Sequence, residues 1–427
     1  MKKTLLFIAS SLVSNLILAQ PQINKNASDW LNENAIPLKY VRPGNGFDDL
    51  KPLDAMIGDA RIVSLGECTH GSSEIFSMKH RMLEYLVKEK GFTLFSIEAN
   101  MPESYALNDY IIDGKGDPKK LIAGMYFWTW YTQEVLDMVE WMKMYNETAT
   151  KKVMFTGFDM QTPHVASKVV RNYLTVCLPS LLTMLDNYDS LSKKTQVKKN
   201  ESKTIFRQLK SIAQLLLDSM HTARPATGKD GFDWALQNAR ILWQYACNYY
   251  NAPSRDESMA ENAKWIADQN PGAKMVIWAH NEHIRKDKNK FGSIRMGEYL
   301  NRSFGNQMVV IGFSSDEGTY TAVQKENKKF IGLDSTNRLI SAKKGSFEEI
   351  LSTADAPDLL LDLRNIKKED EGAAWLMEKK LFRHIGALAE DKYQFVDTHL
   401  TREYDMIIFI RRTSASKCFS IKKLAER

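Results

Sequence analysis

Arg61-Ile62-Val63-Ser64-Leu65-Gly66-Glu67-Cys68-Thr69-His70-Gly71 and, a helix length later, Thr93-Leu94-Phe95-Ser96-Ile97-Glu98 decide the fold. Each stretch is a short apolar run rich in β-branched and aromatic residues that ends in polar groups. The segment between them has a helical pattern, the order that a parallel βαβ unit requires. In such a unit, polar residues at the carboxyl ends of the strands face the ligand crevice. A third run, Lys274-Met275-Val276-Ile277-Trp278, leads straight into Ala279-His280-Asn281-Glu282-His283. If these strands share a sheet, two carboxylates and three imidazoles converge: Glu67, Glu98, His70, His280 and His283.

Outward from these runs, strands are expected at about 61–67, 93–99, 152–158, 274–280, 307–313, 358–363 and 405–410, alternating with longer segments. That alternation predicts an α/β fold, a central and mostly parallel sheet flanked by helices. Residues 164–255 read differently. They have few strand-like runs, many Leu and Lys residues at helical spacing, and prolines only at 179, 225 and 253. Three or four helices are expected there, forming an inserted, smaller all-helical domain. Its apolar stripes are read as core, because such stripes face a neighbouring helix. The expected organisation is a leader over 1–19, a discontinuous α/β catalytic domain over 20–163 and 256–415, the helical insertion over 164–255, and a basic tail over 416–427.

A chain of 427 residues with 44% hydrophobic content can bury a large core. Lys2-Lys3, an apolar stretch over 5–18 and the small Ala19 read as a secretory signal, so export to a periplasm or beyond is expected. Ser10, Ser11, Ser14 and Asn15 interrupt the stretch, which is also short for a membrane span. No stable membrane insertion is expected once the leader is cut. Export permits disulfides, yet Cys68, Cys177, Cys247 and Cys418 lack framework spacing, and a passive role is expected for Cys68. The net charge of +6 is modest, the lysine pairs Lys193-Lys194 and Lys198-Lys199 read as a solvated loop, and no basic stripe with interleaved aromatics points to nucleic acid.

A histidine in a Gly-bounded strand-to-helix turn can act as a general base at neutral pH. Glu67 or Glu98 beside His70 would fix its tautomer and stabilise the imidazolium formed when it takes a proton from water. His280 and His283 could supply a donor to a developing oxyanion or an acid for the leaving alkoxide, with His283 favoured as the catalytic one. Lys79 and Arg81 follow on the next helix and are expected to add charge at the rim of the site. No Gly-x-Ser-x-Gly elbow is present, so the nucleophile should be water. The same Glu and His set would also suit a metal such as zinc. Asp159 and Gln161 end a strand, where they line the crevice or cap the next helix. His80, His164, His221, His384 and His399 lack partners in sequence and are read as structural or surface residues. Trp128 and Trp130 are read as packing.

The Gly-Glu-x-x-His-Gly turn, the following strand ending in Glu98, and Trp278-Ala279-His280-Asn281-x-His283 together resemble the erythromycin esterase family. Gly157-Phe158-Asp159-Met160-Gln161, Arg255-Asp256-x-x-Met259-Ala260-x-Asn262-x-x-Trp265, Met296-Gly297, Ile311-Gly312-Phe313 and Tyr404-Asp405-Met406-Ile407-Ile408-Phe409 extend the resemblance over roughly residues 45–412. The resemblance implies a metal-independent hydrolase without cofactors, in which histidine activates water against an ester, in some members the lactone of a 14-membered macrolide. It also implies Arg255 as the cation that polarises the carbonyl. Some macrolide-hydrolysing members carry Arg where Lys79 stands, a difference that bears on substrate. Two other readings remain: a metal-dependent hydrolase using the same Glu and His cluster, and a secreted ligand- or haem-binding protein without turnover.

Overall fold

The structure is a computed structural model that describes residues 26–195, 201–225, 231–289, 291–326, 329–367 and 369–419. The expected leader, Lys198-Lys199 and most of the basic tail lie outside the described residues. The strands among the described residues are β1 (Ile36–Pro37), β2 (Ile62–Leu65), β3 (Leu94–Asn100), β4 (Met154–Asp159), β5 (Met275–Trp278), β6 (Met308–Glu326), β7 (Lys329–Arg338), β8 (Asp358–Asp362), β9 (Lys379–Arg383), β10 (Phe395–His399) and β11 (Met406–Thr413). The fold is α/β, with a mostly parallel sheet and flanking helices, and each of the seven strands expected from sequence is present. The chain divides into two compact units, one from Met1–Phe92, Trp128–Met138 and Lys274–Arg427, the other from Thr93–Phe127 and Val139–Ala273.

In the first unit β8, β11, β6, β2 and β5 lie side by side in that order, with β1 outside β8. The β11/β6, β6/β2 and β2/β5 pairs are parallel, whereas β8/β11 and β1/β8 are antiparallel. Every residue of Ile-Val-Ser-Leu in β2 and Met-Val-Ile-Trp in β5 is buried. Such unbroken apolar runs belong to parallel strands covered on both faces.

Four strands of this unit, β1, β7, β9 and β10, were not legible. The polar run Ser314-Ser315-Asp316-Glu317-Gly318 reads as the end of a strand, yet β6 continues through it and then pairs antiparallel with β7. Apart from the Ser315 hydroxyl, which is buried without a partner among the described residues, the polar side chains of the run are matched. The Ser314 hydroxyl donates to Glu348 at 2.6 Å, and Arg383 Nε donates to the Ser315 carbonyl at 2.7 Å. Beyond the polar run, Tyr320 and Ala322 pack with Leu339 and Ile385 in a small core of their own. β9 and β10 form a separate antiparallel pair.

In the second unit β3 and β4 pair in parallel, with Leu94 opposite Met154 and Ile97 opposite Gly157. Residues 164–255 contain four α-helices among those described: His164–Cys177, Leu182–Lys194, Ser202–Thr222 and Phe232–Asn248. In Ser202–Thr222 the buried residues Ile205, Leu209, Ala213, Leu216 and Met220 recur at three or four residues, the stripe of a helix packed on its neighbours. These helices do not stand as a unit by themselves but cluster with β3 and β4.

Candidate active site

The turn after β2 is held by close backbone approaches that only glycine allows. A Cβ on Gly66 would lie 2.0 Å from Asn281 Oδ1, and one on Gly71 would lie 1.9 Å from the Thr321 carbonyl oxygen. The close approach at Gly71 is thus made to β6. The Gly71 carbonyl accepts N–H groups from Thr321 at 2.9 Å and Ser416 at 2.8 Å. Immediately afterwards Ser72 caps helix Ser73–Lys90, its hydroxyl accepting from the Ile75 N–H at 3.2 Å. His70 therefore sits between two pinned points.

Glu67 is the hub of this turn. Its carboxylate is fully buried, and three donors reach it: His70 Nδ1 to Oε1 at 2.7 Å, Lys79 Nζ to Oε2 at 2.8 Å and the Trp278 indole N–H to Oε2 at 2.7 Å. Burial alone would push its pKa up. The Lys79 charge and the hydrogen bonds from His70 and Lys79 outweigh burial and hold the carboxyl below its ordinary value. Trp278 is itself fixed edge-on to Phe76 and Trp130, with centroids 5.0 and 5.9 Å away, and Lys79 Nζ lies 4.4 Å from its ring centroid. Trp130 thus packs, as its sequence context suggested.

With Nδ1–H donating to Glu67, the lone pair of His70 is on Nε2, which makes no hydrogen bond to the described residues. The His70 side chain is 15% exposed, so that nitrogen is within reach of water. Such an arrangement can act as a base with an orienter. Lys79 and Arg81, expected at the rim, are both buried. Lys79 turns inward to neutralise Glu67. Arg81 turns to the opposite side of its helix and binds Asp49 and the carbonyls of Tyr40 and Gly46, securing the segment before β2.

His280 and His283 differ in what their rings can do. His280 caps the short helix Asn281–Ile284, with Nδ1 accepting the Glu282 N–H at 3.1 Å and Nε2–H donating to the Ile385 carbonyl at 3.1 Å. Both nitrogens are committed to the backbone, which makes His280 a neutral positioning residue. Its ring lies 4.9 Å from His70 and 4.8 Å from His384. His283 lies one helical turn on and is part-exposed.

His384, read from sequence as structural or surface, stands in this cluster. The segment that carries it is tied to the turn, because the Ile385 N–H donates to the Cys68 carbonyl at 2.7 Å. Burial pushes the His384 pKa down to about 4, Glu282 opposes that, and the charges of His283, Arg285 and His70 push the same way as burial. Glu282 binds Arg295 at 2.7 Å and Arg285 at 3.2 Å, and Arg285 also binds Glu403. Cys68 is buried, and burial pushes its thiol up to about 12, so it is no nucleophile at neutral pH.

Glu98, Asp159 and Arg255 form an assembly of their own in the second unit. One Arg255 terminal nitrogen donates to Glu98 Oε1 and Asp159 Oδ2, both at 2.7 Å, and Nε donates to Asp159 Oδ1 at 3.2 Å. Asp159 also accepts the Met160 N–H at 2.8 Å and the Gln161 amide at 2.7 Å. Arg255 opens helix Arg255–Gln269, an end where a cation is opposed by the helix dipole, so the carboxylates are what hold it. They also push its pKa further up against the effect of burial. Asn262 on the same helix donates to the Phe158 carbonyl at 3.0 Å and fixes the helix to the end of β4. Beside them Glu103 is buried and hydrogen-bonded to Thr162, with Oε2 lacking a partner among the described residues; burial raises its pKa to about 7. Glu98, expected as one possible orienter of His70, pairs with Arg255, while Glu67 holds the imidazole.

As possible metal ligands these residues are poorly disposed. A metal at Glu67 would have to displace Lys79, Trp278 or His70 from the carboxylate. Among the described residues no three His, Cys, Asp or Glu side chains group as a metal would require.

A carboxylate-oriented histidine with its outer nitrogen open, at the end of a parallel strand, suits general acid–base chemistry. The erythromycin esterase family model matches residues 87–413, and the chain belongs to the erythromycin esterase family. A putative hydrolase of Bacillus subtilis (strain 168), YbfO, is 25% identical over 431 residues, covering 91% of each chain. The erythromycin esterase type II of Escherichia coli is 24% identical over 380 residues, covering 80% of this chain and 90% of its own. The 1.7 Å crystal structure of a succinoglycan biosynthesis protein superposes with a TM-score of 0.79 at 31% identity, covering 93% of this chain and 99% of the other. The chain is a hydrolase of the erythromycin esterase type.

Proposed function

We propose that the chain hydrolyses a carboxylic ester, with the lactone of a 14-membered macrolide as the leading substrate, by attack of a water that His70 deprotonates. The observation that carries this reading is the 2.7 Å contact of His70 Nδ1 with the buried Glu67 carboxylate, which leaves Nε2 as a base. His70 Nε2 takes a proton from water while the oxygen attacks the ester carbonyl. The resulting imidazolium is stabilised by Glu67, and the same proton is available to the leaving alkoxide as the C–O bond breaks. His283 is the donor favoured for the oxyanion, since both nitrogens of His280 are engaged by backbone. Water attack without a metal is supported by the three donors that already fill the Glu67 carboxylate. The name of the Escherichia coli relative supports the macrolide, and the Lys2-Lys3 start with its apolar stretch and Ala19 supports export.

The test is mass spectrometry of erythromycin, and of a panel of simple lactones and acyl esters, after incubation with the chain from Gln20 onward, with and without EDTA. Gain of one water by erythromycin, unaffected by EDTA, is the expected result. Loss of activity in EDTA that returns on adding zinc would replace the water mechanism with a metal-dependent one. Turnover of the panel with erythromycin left intact would move the substrate to another ester, and no turnover at all would leave a binding protein.

A further inference from the structure

The charge of this molecule is unevenly placed. Residues 164–254 hold twelve Lys or Arg against six Asp or Glu, which equals the +6 of the whole chain, so the remainder is neutral. Within residues 193–210 the ratio is seven to one. Charge concentrated in one segment points to an anionic partner rather than to solubility alone.

The described residues of that segment build two grooves along helix Ser202–Thr222. One, of about 590 Å³, has Leu215, Trp243 and Tyr250 as its apolar lining and Arg207 and Lys210 beside them. The other, of about 510 Å³, shares Arg207 and adds Lys194, Leu191 and Ile212. No carboxylate lines either groove, and Arg207 and Lys210 form no ion pair among the described residues. A third hollow in the same unit shows the contrast: Arg224 and Arg240 there are matched by Asp233 and Glu261.

Two further features point to a ligand with an anionic head and an apolar body. The Trp243 indole N–H is buried with no acceptor among the described residues. Leu215, an aliphatic side chain in the first groove, is 57% exposed. Nucleic acid fits less well, because it needs open aromatic faces, and here Arg240 covers the Trp243 ring at 4.1 Å while Phe206 and Tyr249 are stacked on each other at 4.6 Å. No helix among the described residues is long and apolar enough to cross a membrane, so the contact would be peripheral.

We propose that this basic, apolar-lined face of helix Ser202–Thr222 docks the protein on a membrane surface rich in anionic phospholipid. Arg207, Lys210 and Lys194 meet the headgroups, and Leu215 faces the boundary between headgroups and acyl chains. An anionic leaflet gives a juxtamembrane cation about 1 kcal/mol, about a fivefold gain in partition for each basic residue.

The test is sedimentation of the chain from Gln20 onward with vesicles of phosphatidylglycerol and phosphatidylcholine, against vesicles of phosphatidylcholine alone. Binding only to the anionic vesicles, weakened by salt, is expected. Arg207→Gln/Lys210→Gln should lower the partition coefficient about thirtyfold. Lys51→Gln/Lys120→Gln, which removes the same charge from exposed lysines elsewhere, should leave it nearly unchanged. Unchanged thermal melting of both variants shows that folding is intact. Equal binding to both vesicle types, equal loss in the two double variants, or no binding would overturn the proposal. So would an equally strong, groove-dependent interaction with a polyanion that has no acyl chain, such as heparin.

Discussion

Two buried charge assemblies, one in each unit, are built from the same chemistry and balanced in opposite ways. Around Glu67 one carboxylate gathers Lys79, Trp278 and His70, so the anion is fully satisfied and the one group it leaves open is the outer nitrogen of a histidine. Around Arg255 one guanidinium is gripped by Asp159 and Glu98, with Glu103 close by in a pocket that favours its neutral form. The first arrangement fixes an anion and leaves an imidazole nitrogen open. In the second, a cation is fixed by two anions, and its positive field is largely cancelled before it could act on a carbonyl. A residue's formal charge therefore says little about its electrostatic role until its partners are counted.

The comparison can be broken most forcefully at Glu67. In Glu67→Gln the amide must turn its NH₂ either toward Nδ1–H of His70 or toward the two donors of Lys79 and Trp278, and it removes the charge that Lys79 pairs with. A loss of about 3–5 kcal/mol in unfolding free energy is expected by urea titration, together with a fall in turnover of at least about a hundredfold. Next comes Arg255→Ala, which removes the guanidinium that Asp159 and Glu98 share. Because the Arg255 side chain is one quarter exposed, about 2–3 kcal/mol is expected, and Arg255→Lys should recover only part of it for want of the bidentate fork. Trp278→Phe keeps the aromatic packing but removes one donor to a charged acceptor, at an expected cost of about 1.5–3 kcal/mol.

The smallest effects are on pH dependence, and they have opposite signs in the two units. His384 is held near 4 against an ordinary 6.5, so the unfolded chain binds its proton more tightly. The stability gained from keeping it neutral is complete above pH 6.5 and lost as pH falls toward 4. Glu103 is held near 7 against 4.5, so its contribution is complete below pH 4.5 and lost as pH rises toward 7. Thermal melts between pH 4.5 and 6.5 should therefore show His384→Asn gaining on the wild type as pH falls and Glu103→Gln gaining as pH rises. Parallel slopes in the two variants would show that the two environments are not opposed.

Much of the fold was legible because buried strands announce themselves as short apolar runs, and seven of them did. What escaped was decided by contacts distant in sequence. β6 runs on through a polar stretch because Glu348 and Arg383 satisfy it. Lys79 looks like a surface charge on its helix until Glu67 is seen beneath it. His70 and the carboxylate beside it could be read because they lie three positions apart in one turn. His384 could not, since only the hydrogen bonds of Ile385 to Cys68 and His280 bring its segment to that turn. The Arg255 motif was legible as a motif, but its two anionic partners reach it from strands 96 and 157 residues away.

The most direct measurement is the rate of ester hydrolysis by His70→Ala beside the wild type, across pH, with circular dichroism confirming that both are folded. His70 is part-exposed and its truncation leaves Glu67 paired with Lys79, so the variant should fold. A fall in turnover of about a hundred- to ten-thousandfold, with loss of the acid limb of the pH profile, is expected if His70 deprotonates the attacking water. Turnover within about tenfold of the wild type, with the same pH profile, would contradict that role and move the base elsewhere.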